Sequence, residues 1–293
     1  MSTLKKGFLH NALAKTGPSL KSMVKLAQLS RTVRMPRAEG KTLVILANGP
    51  SLNDTIASSS EILRSMPTLA VNFAANAPVF FDLRPRYYVM ADPVFFGPAE
   101  VANLRELRTN LARVDWPMTI FVPRKYVNSL PAEIKANPSV SVAALNNVGI
   151  EGWQWLENLA YTRNLGMPRP RNVLIPAIMA AAGMGYTEIY LTGADHSWMK
   201  TISVDDENHV VSVQPHFYKD GAEEQRRVDT TYRGLRLHDV VHSFYVAFSS
   251  YHTLARWAAH RGIRIYNSTP GSFIDAFQRR PLPKKDNQPS HKI

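Results

Sequence analysis

From residue 42 onward the hydrophobic and polar positions fall into short apolar runs separated by longer, helically patterned stretches. TLVILA (42–47), TLAVN (68–72), RYYVMA (86–91), MTIFV (118–122), VSVAA (140–144), TEIYLT (187–192) and IRIY (263–266) are predicted strands. Most are nearly continuous in apolar residues, which suits strands covered on both faces in a mainly parallel sheet. Between them, 54–65, 98–112, 152–163, 173–184 and 238–261 carry helical patterning. The alternation predicts an α/β fold with a doubly wound sheet. Residues 196–237 break the rhythm: they are polar, and TISVDDENHVVSV within them reads as a hairpin turning at Asp206-Glu207-Asn208. An insertion of that length between a strand and a helix is expected to be a lid or binding loop.

Charge divides the chain further. The formal net charge is +12. Residues 1–41 carry about +8 of it, with Glu39 as their one acid, and residues 279–293 carry about +4. The body between is close to neutral, which argues against a phosphate-tracking groove and against nucleic acid as partner. The expected organisation is a basic arm (1–41), a catalytic domain (42–278, lid about 196–237) and a disordered basic tail (279–293). In the arm, Leu4, Phe8, Leu9, Leu13, Leu20, Met23, Val24, Leu26 and Leu29 recur at loosely helical spacing opposite a basic face, broken by Gly17-Pro18. That pattern fits a segment lying on an anionic membrane surface, or a solvated tail, or a helix packed on the body. Cysteine is absent, which excludes disulfides and a thiol nucleophile. No apolar run approaches a membrane span or a signal peptide, so the expected location is cytoplasmic, at the inner face of the cell membrane if the arm binds there.

In an open parallel sheet, ligands bind beyond the carboxyl ends of the strands. The strand ends here are Asn48-Gly49-Pro50-Ser51, Asn72, Asp92-Pro93, Gly193-Ala194-Asp195-His196-Ser197 and Asn267-Ser268-Thr269-Pro270-Gly271-Ser272. Each alone is ordinary turn chemistry. Together they predict a polar pocket. There is no dinucleotide fingerprint, Walker A sequence or Gly-x-Ser-x-Gly elbow, which removes conventional dehydrogenases, P-loop kinases and serine hydrolases. Asp205-Asp206-Glu207 reads as a hairpin tip, His209 and His216 lack ligand spacing, and Trp153, Trp155 and Tyr161 read as core.

ANGPSL after the first strand, VN after the second, ADP after the third, AAAGMGYTEIYLTGAD and IYNSTPGSFIDAF resemble the Campylobacter-type bacterial sialyltransferases. They equally resemble related flagellin-modifying proteins that share a domain with archaeal hydroxymethylpterin pyrophosphokinases. The resemblance spans roughly 42–278. It implies a Rossmann-like domain with a flexible lid that transfers a sugar from a nucleotide-sugar donor, a sialic-acid-like sugar from a cytidine monophosphate in the best-matching branch, without a metal cofactor. It also implies that Asn48, Gly49, Ser51 and Asn72 contact the donor, with Asp92, Asp195 and Ser272 beside them. The family's catalytic base is a histidine of a His-Ser pair, matched here by His242-Ser243, with His238 on the same helix face. Histidine suits an inverting transfer because its pKa lies near neutrality. Lid tyrosines Tyr218 and Tyr232, or Arg169, Arg171, Arg226 and Arg227, would meet the leaving phosphate. Three positions depart from the pattern: Asp92 stands for an asparagine, Ser197 for an aromatic residue, and Asn172-Val173 for a Ser-Gly pair.

The expected activity is therefore a glycosyltransferase of bacterial surface-glycan (lipopolysaccharide) synthesis, with a glycan or lipid-linked acceptor; a homo-oligomer is compatible with it. The alternatives are a pyrophosphokinase-like enzyme holding Mg²⁺ between Asp92 and Asp195, and a non-catalytic nucleotide- or glycan-binding protein.

Overall fold

The computed structural model describes residues 2–99, 101–211 and 234–283, with side chains from residue 13 onward. Helix α1 (Ser2–Leu29) precedes β1 (Thr42–Leu46), α2 (Leu52–Ser65), β2 (Thr68–Val71), α3 (Val79–Leu83), β3 (Tyr87–Val89), α4 (Ala102–Ala112), β4 (Met118–Pro123), α5 (Ala132–Lys135) and β5 (Val140–Leu145). Then come α6 (Gln154–Thr162), α7 (Leu174–Met184), β6 (Glu188–Thr192), the hairpin β7 (Ser203–Val204) and β8 (Val210–Val211), α8 (Leu237–His260), β9 (Arg264–Asn267) and β10 (Gln278–Arg279). Eight strands form one sheet in the order β10-β9-β6-β1-β2-β3-β4-β5. Every pairing in it is parallel. The doubly wound α/β fold expected from the apolar runs is therefore present.

The central strands are apolar throughout because both faces are covered. Leu43, Ile45, Leu69, Val71, Ile189 and Leu191 face a layer containing α6, α7 and α8. Ala70, Tyr88, Ile120 and Val122 face α4 and α5 on the other side. Helix α7 sits over the middle of the sheet and is apolar all round, with Leu174 to Ala181 buried. Its alanines let it approach the sheet closely. It ends at Gly185, whose φ of 107° supplies the left-handed C-cap.

The amino-terminal arm departs from expectation. The predicted break at Gly17-Pro18 is absent: α1 runs through Pro18. Proline forfeits one helical hydrogen bond, and tertiary contacts offset that loss. Ser22 Oγ donates to Glu151 O (2.8 Å) and accepts from Glu151 N (3.0 Å), and Ser19 Oγ accepts from Trp153 N (2.8 Å). Met23 and Leu26 pack on the main core. From Leu13 onward the apolar residues of α1 are thus split between a docked face and an exposed one, rather than opposed to a single basic face. At the other end, Gln278-Arg279 pairs with β9, and the Arg279 guanidinium donates to the carbonyls of Thr269, Ser272 and Ile274. Arg279 is therefore part of the fold, not of a loose tail.

Candidate functional site at the carboxyl edge of the sheet

After β1 the chain winds outward through β2, β3, β4 and β5, then returns to lay β6 on the other side of β1. The boundary between β1 and β6 is the switch point in strand order, the part of an open α/β sheet beside which ligands bind. Two loops border it, Asn48–Ser51 after β1 and Gly193–His196 after β6.

These loops are locked together. Gly49 N–H donates to Gly193 O at 2.8 Å. A Cβ on Gly49 would lie 1.9 Å from Asp195 Oδ2 and 2.5 Å from Gly193 O, so only glycine fits. Asp195 Oδ2 accepts from Ser51 Oγ (2.7 Å) and Oδ1 from Ser51 N (3.4 Å), which places a carboxylate at the start of α2 where the helix dipole favours it. The loop after β9 braces the same point. Ser272 Oγ donates to Ala194 O (2.5 Å) and accepts from Asn267 Nδ2 (3.0 Å) and Ile274 N (3.2 Å), and Thr269 Oγ1 accepts from Ala194 N (3.0 Å). Asp195 and Ser272, expected beside the donor, are thus engaged in holding the loops. Asp92 caps the short turn Pro93–Phe96 through Val94 N (3.0 Å).

Three asparagines beside the ends of β1 and β2 and the start of α7 are not fully engaged; Asn76, Arg108 and Asn147 also hold a buried side-chain atom without a partner. Asn48 Nδ2 donates to Val71 O (3.3 Å), which fixes the amide, while its Oδ1 is buried without a partner. Asn72 has the left-handed φ of 50°, its carbonyl accepts from the Tyr88 hydroxyl, and its Oδ1 is likewise buried and unpaired. Asn172, just before α7, uses Oδ1 to accept from Leu174 N (3.0 Å) and leaves Nδ2 buried and unpaired. Each unsatisfied group costs about 1–3 kcal/mol, and such groups in a folded chain call for an explanation. Two acceptors and one donor therefore stand ready for a ligand's hydroxyl or amino groups and for its anionic part, beside the amino terminus of α7. Exposed Arg171 precedes that terminus.

Asn172 also leads to a group the strand-end pattern did not single out. Tyr251 Oη on α8 lies 2.9 Å from Asn172 Oδ1 and 2.6 Å from His196 Nε2. Because Leu174 N fixes Oδ1 as an acceptor, the tyrosine donates to it and must accept from a protonated Nε2. The network so assigns His196 as the neutral Nε2–H tautomer. Its φ is 51°, its ring lies 4.2 Å from that of Trp198, and burial holds its pKa down at about 3. Burial also pushes the Tyr251 hydroxyl well above its ordinary range. The available signal was the aromatic spacing Phe244, Phe248, Tyr251 on the inner face of α8.

His238 and His242 are exposed, on the outer face of α8. His242 precedes Tyr251 by nine residues, which puts it about 180° around the helix and about 13 Å along it. Its ring stacks on Tyr245 at 6.2 Å, and His238 Nε2 lies 3.4 Å from Asp239 Oδ1. The structure does not bring this pair to the asparagine cluster. Tyr218, Tyr232, Arg226 and Arg227 lie outside the described residues. Arg169 pairs loosely with Glu151 at 3.9 Å.

Among the described residues, Asp205, Glu207 and His209 are a group of potential metal ligands with atoms within 4.8 Å of one another. They close the hairpin tip: His209 N donates to Asp205 Oδ1 (2.6 Å) and Asn208 takes a φ of 63°. A cleft of about 460 Å³ opens at the opposite, amino edge of the sheet beside Arg64, Asp82, Arg84 and Arg86. Arg84 there is paired with Asp115 and Arg86 with Glu39. Unpaired buried polar atoms, not volume, place the candidate site at the carboxyl edge.

No family model and no curated protein matches the chain. Among solved structures, the MAf glycosyltransferase from Magnetospirillum magneticum AMB-1 aligns with a TM-score of 0.48 at 11% identity, over 90% of this chain and 38% of that one. FabMG, an enoyl-acyl carrier protein reductase, aligns with a TM-score of 0.21 at 10% identity, over 82% and 62%. The chain thus spans well under half the length of the first of these. Both scores fall below what a shared fold requires, and the site must be argued from its own geometry.

Proposed function

We propose that this protein is a glycosyltransferase that holds a nucleotide-sugar donor at the carboxyl edge of the sheet, over the ends of β2, β1 and β6. The observation that carries the reading is that Asn48 Oδ1 and Asn72 Oδ1, after the neighbouring strands β1 and β2, and Asn172 Nδ2, just before α7, are each buried without a partner. The two carbonyl oxygens accept from donor hydroxyl or amino groups. Asn172 Nδ2, Arg171 and the amino terminus of α7 meet the phosphate. The motif resemblance adds the finer assignments: a cytidine monophosphate donor, a sialic-acid-like sugar, inversion at the anomeric carbon, and a surface-glycan or lipid-linked acceptor.

In that transfer the acceptor oxygen attacks the anomeric carbon as the bond to the leaving phosphate breaks. The acceptor's proton passes to a base, and the nucleotide departs with the bonding pair. The motif resemblance assigns the base to His242, or to His238 one turn earlier; both are exposed on the outer face of α8, away from the asparagines, so the assignment requires this part of α8 to turn toward the donor when it binds.

Thermal denaturation with CMP, CDP, UDP, GDP and ATP, each in Mg²⁺ and in EDTA, tests the donor. A ligand at a hundred times its Kd adds about 2.7 kcal/mol, a rise of roughly 4–5 °C for a chain of this size. The expected result is a rise with CMP in EDTA, and release of the sugar from the matching CMP-sugar. No rise with any of the five would overturn the site. Full transferase rate in His242→Ala and in His238→Ala would overturn the base assignment alone.

A further inference from the structure

Helix α1 docks on the body through Ser19, Ser22, Met23 and Leu26, and this leaves its other face bare. Leu13, Leu20 and Val24 are 70%, 55% and 54% exposed. With Gly17 they fall within a sector of about 60° on the helix, and that sector contains no charged residue between Leu13 and Val24. Helix α6, which begins beside α1, also exposes apolar residues. Its start is crossed by α1 where Ser19 meets Gly152, too closely for a Cβ, which would lie 2.2 Å from Ser19 Oγ. One turn on, Trp155 and Leu159 are 55% and 40% exposed, at i and i+4 on one face. The expectation that Trp155 belongs to the core is corrected here: Leu156 and Ala160 fill that role, and the Trp155 indole stacks on Trp153 from outside, with ring centroids 6.0 Å apart.

The same amino-terminal segment is rich in exposed cations. Lys15, Lys21, Arg31, Arg34, Arg37 and Lys41 are exposed, and the one acid of the segment, Glu39, is paired with Arg86. We propose that the face formed by α1 and α6 docks on the surface of an anionic lipid bilayer, with Leu13, Leu20, Val24, Trp155 and Leu159 inserted at headgroup depth and the surrounding lysines and arginines on lipid phosphates.

The charge selects this occupant. A second copy docking through the same face would set two strongly basic segments against each other, since a two-fold interface pairs a patch with itself. A bilayer offers apolar depth and negative charge together, and tryptophan is enriched at that boundary. No helix among the described residues is long and apolar enough to cross a membrane, so the contact is peripheral. Placed there, the carboxyl-edge site would work beside a lipid-linked acceptor. The docking face does not depend on that activity, and the two fail separately.

The test is co-sedimentation of the full chain with vesicles of phosphatidylglycerol and phosphatidylcholine (1:1) and of phosphatidylcholine alone, at 100 and 500 mM NaCl. An exposed cation near an anionic surface contributes about fivefold in partition, so partition is expected to be more than tenfold higher on the anionic vesicles and to fall more than tenfold at high salt. The triple variant Leu20→Glu, Val24→Glu, Trp155→Glu changes exposed positions only. It should lose at least tenfold in partition while keeping the wild-type melting temperature. The pair Lys21→Glu, Arg34→Glu should lose binding to anionic vesicles without touching the apolar residues. Equal partition on both vesicle types, or a triple variant that sediments like the wild type, would overturn the proposal. So would loss of a dimer, rather than of lipid binding, when the triple variant is weighed by sedimentation equilibrium.

Discussion

His196 makes a prediction that can be worked through from its surroundings. Its imidazole is enclosed by Trp198, Phe248 and Tyr251, and burial lowers its pKa from 6.5 to about 3. Between those two values the unfolded chain binds a proton at this residue and the folded chain does not. Stability contributed by the neutral imidazole is therefore fully present above about pH 6.5 and is lost as the pH falls toward 3. For one site the loss is about 2 kcal/mol on going from pH 7.5 to 5, and somewhat over 3 kcal/mol at pH 4.

The assay is urea unfolding, followed by tryptophan fluorescence at pH 7.5, 6, 5 and 4.5, of the wild type and of His196→Gln. Glutamine keeps an N–H donor for Tyr251 Oη and has no proton to gain. Titrations elsewhere act equally on both proteins and cancel in the difference. The wild type should lose about 2 kcal/mol more than the variant between pH 7.5 and 5, whatever their offset at neutral pH. Parallel stability profiles would refute the reasoning, because they would mean that His196 protonates in the folded state as readily as in the unfolded one. A steeper profile for the variant would refute the sign.

Two substitutions at the switch point separate scaffold from ligand chemistry. Gly49→Ala drives a Cβ into Asp195 Oδ2 and breaks the Ser51 contact. Overpacking together with a lost charged hydrogen bond should cost about 3 kcal/mol, visible as a fall of several degrees in the melting temperature; a melt within 1 °C of wild type would show that the loops give way freely. Asn72→Gly relieves a left-handed φ and removes a buried unpaired oxygen, so stability should hold or rise by up to about 1 kcal/mol while the CMP-induced shift in melting temperature falls by more than half. Destabilisation with an undiminished nucleotide shift would assign the Asn72 amide to the fold.

How much of this was legible in the sequence depends on what fixed each element. β1, β2, β4 and β6 were readable to within a residue or two because they are buried on both faces, and nearly continuous apolar runs record that burial directly. β10 left no such trace. It is two exposed residues, Gln278-Arg279, placed by pairing with β9 and by the reach of one guanidinium to three carbonyls. The unbroken α1 was hidden for a related reason. Local propensity at Gly17-Pro18 favours a break, and it is overruled by hydrogen bonds to residues more than 120 positions away.

The site shows the same division between local and long-range information. That small polar residues follow nearly every strand is a local fact, and it located the carboxyl edge. Which of those residues remain available to a ligand is set by partners from other elements, and here the sequence was a poor guide. Asp195 and Ser272 looked like ligand contacts and are satisfied within the protein. Asn172 looked like a departure from a motif and holds an unpaired donor. The left-handed turns at Asn72 and His196 point to one reason for this economy. They follow β2 and β6, the two strands that flank β1. A left-handed residue at such a position redirects the chain at once and lets a side chain serve the edge of the sheet. At β2 that side chain leaves an oxygen unpaired. At β6 it is an imidazole buried so deeply that it stays neutral while hydrogen-bonding, through Tyr251, to the same Asn172 that offers its free amide. An unpaired group on one side of the switch point and a rigid, uncharged support on the other form an arrangement in which loops are fixed before a ligand arrives, so that little of its binding energy is spent on ordering them.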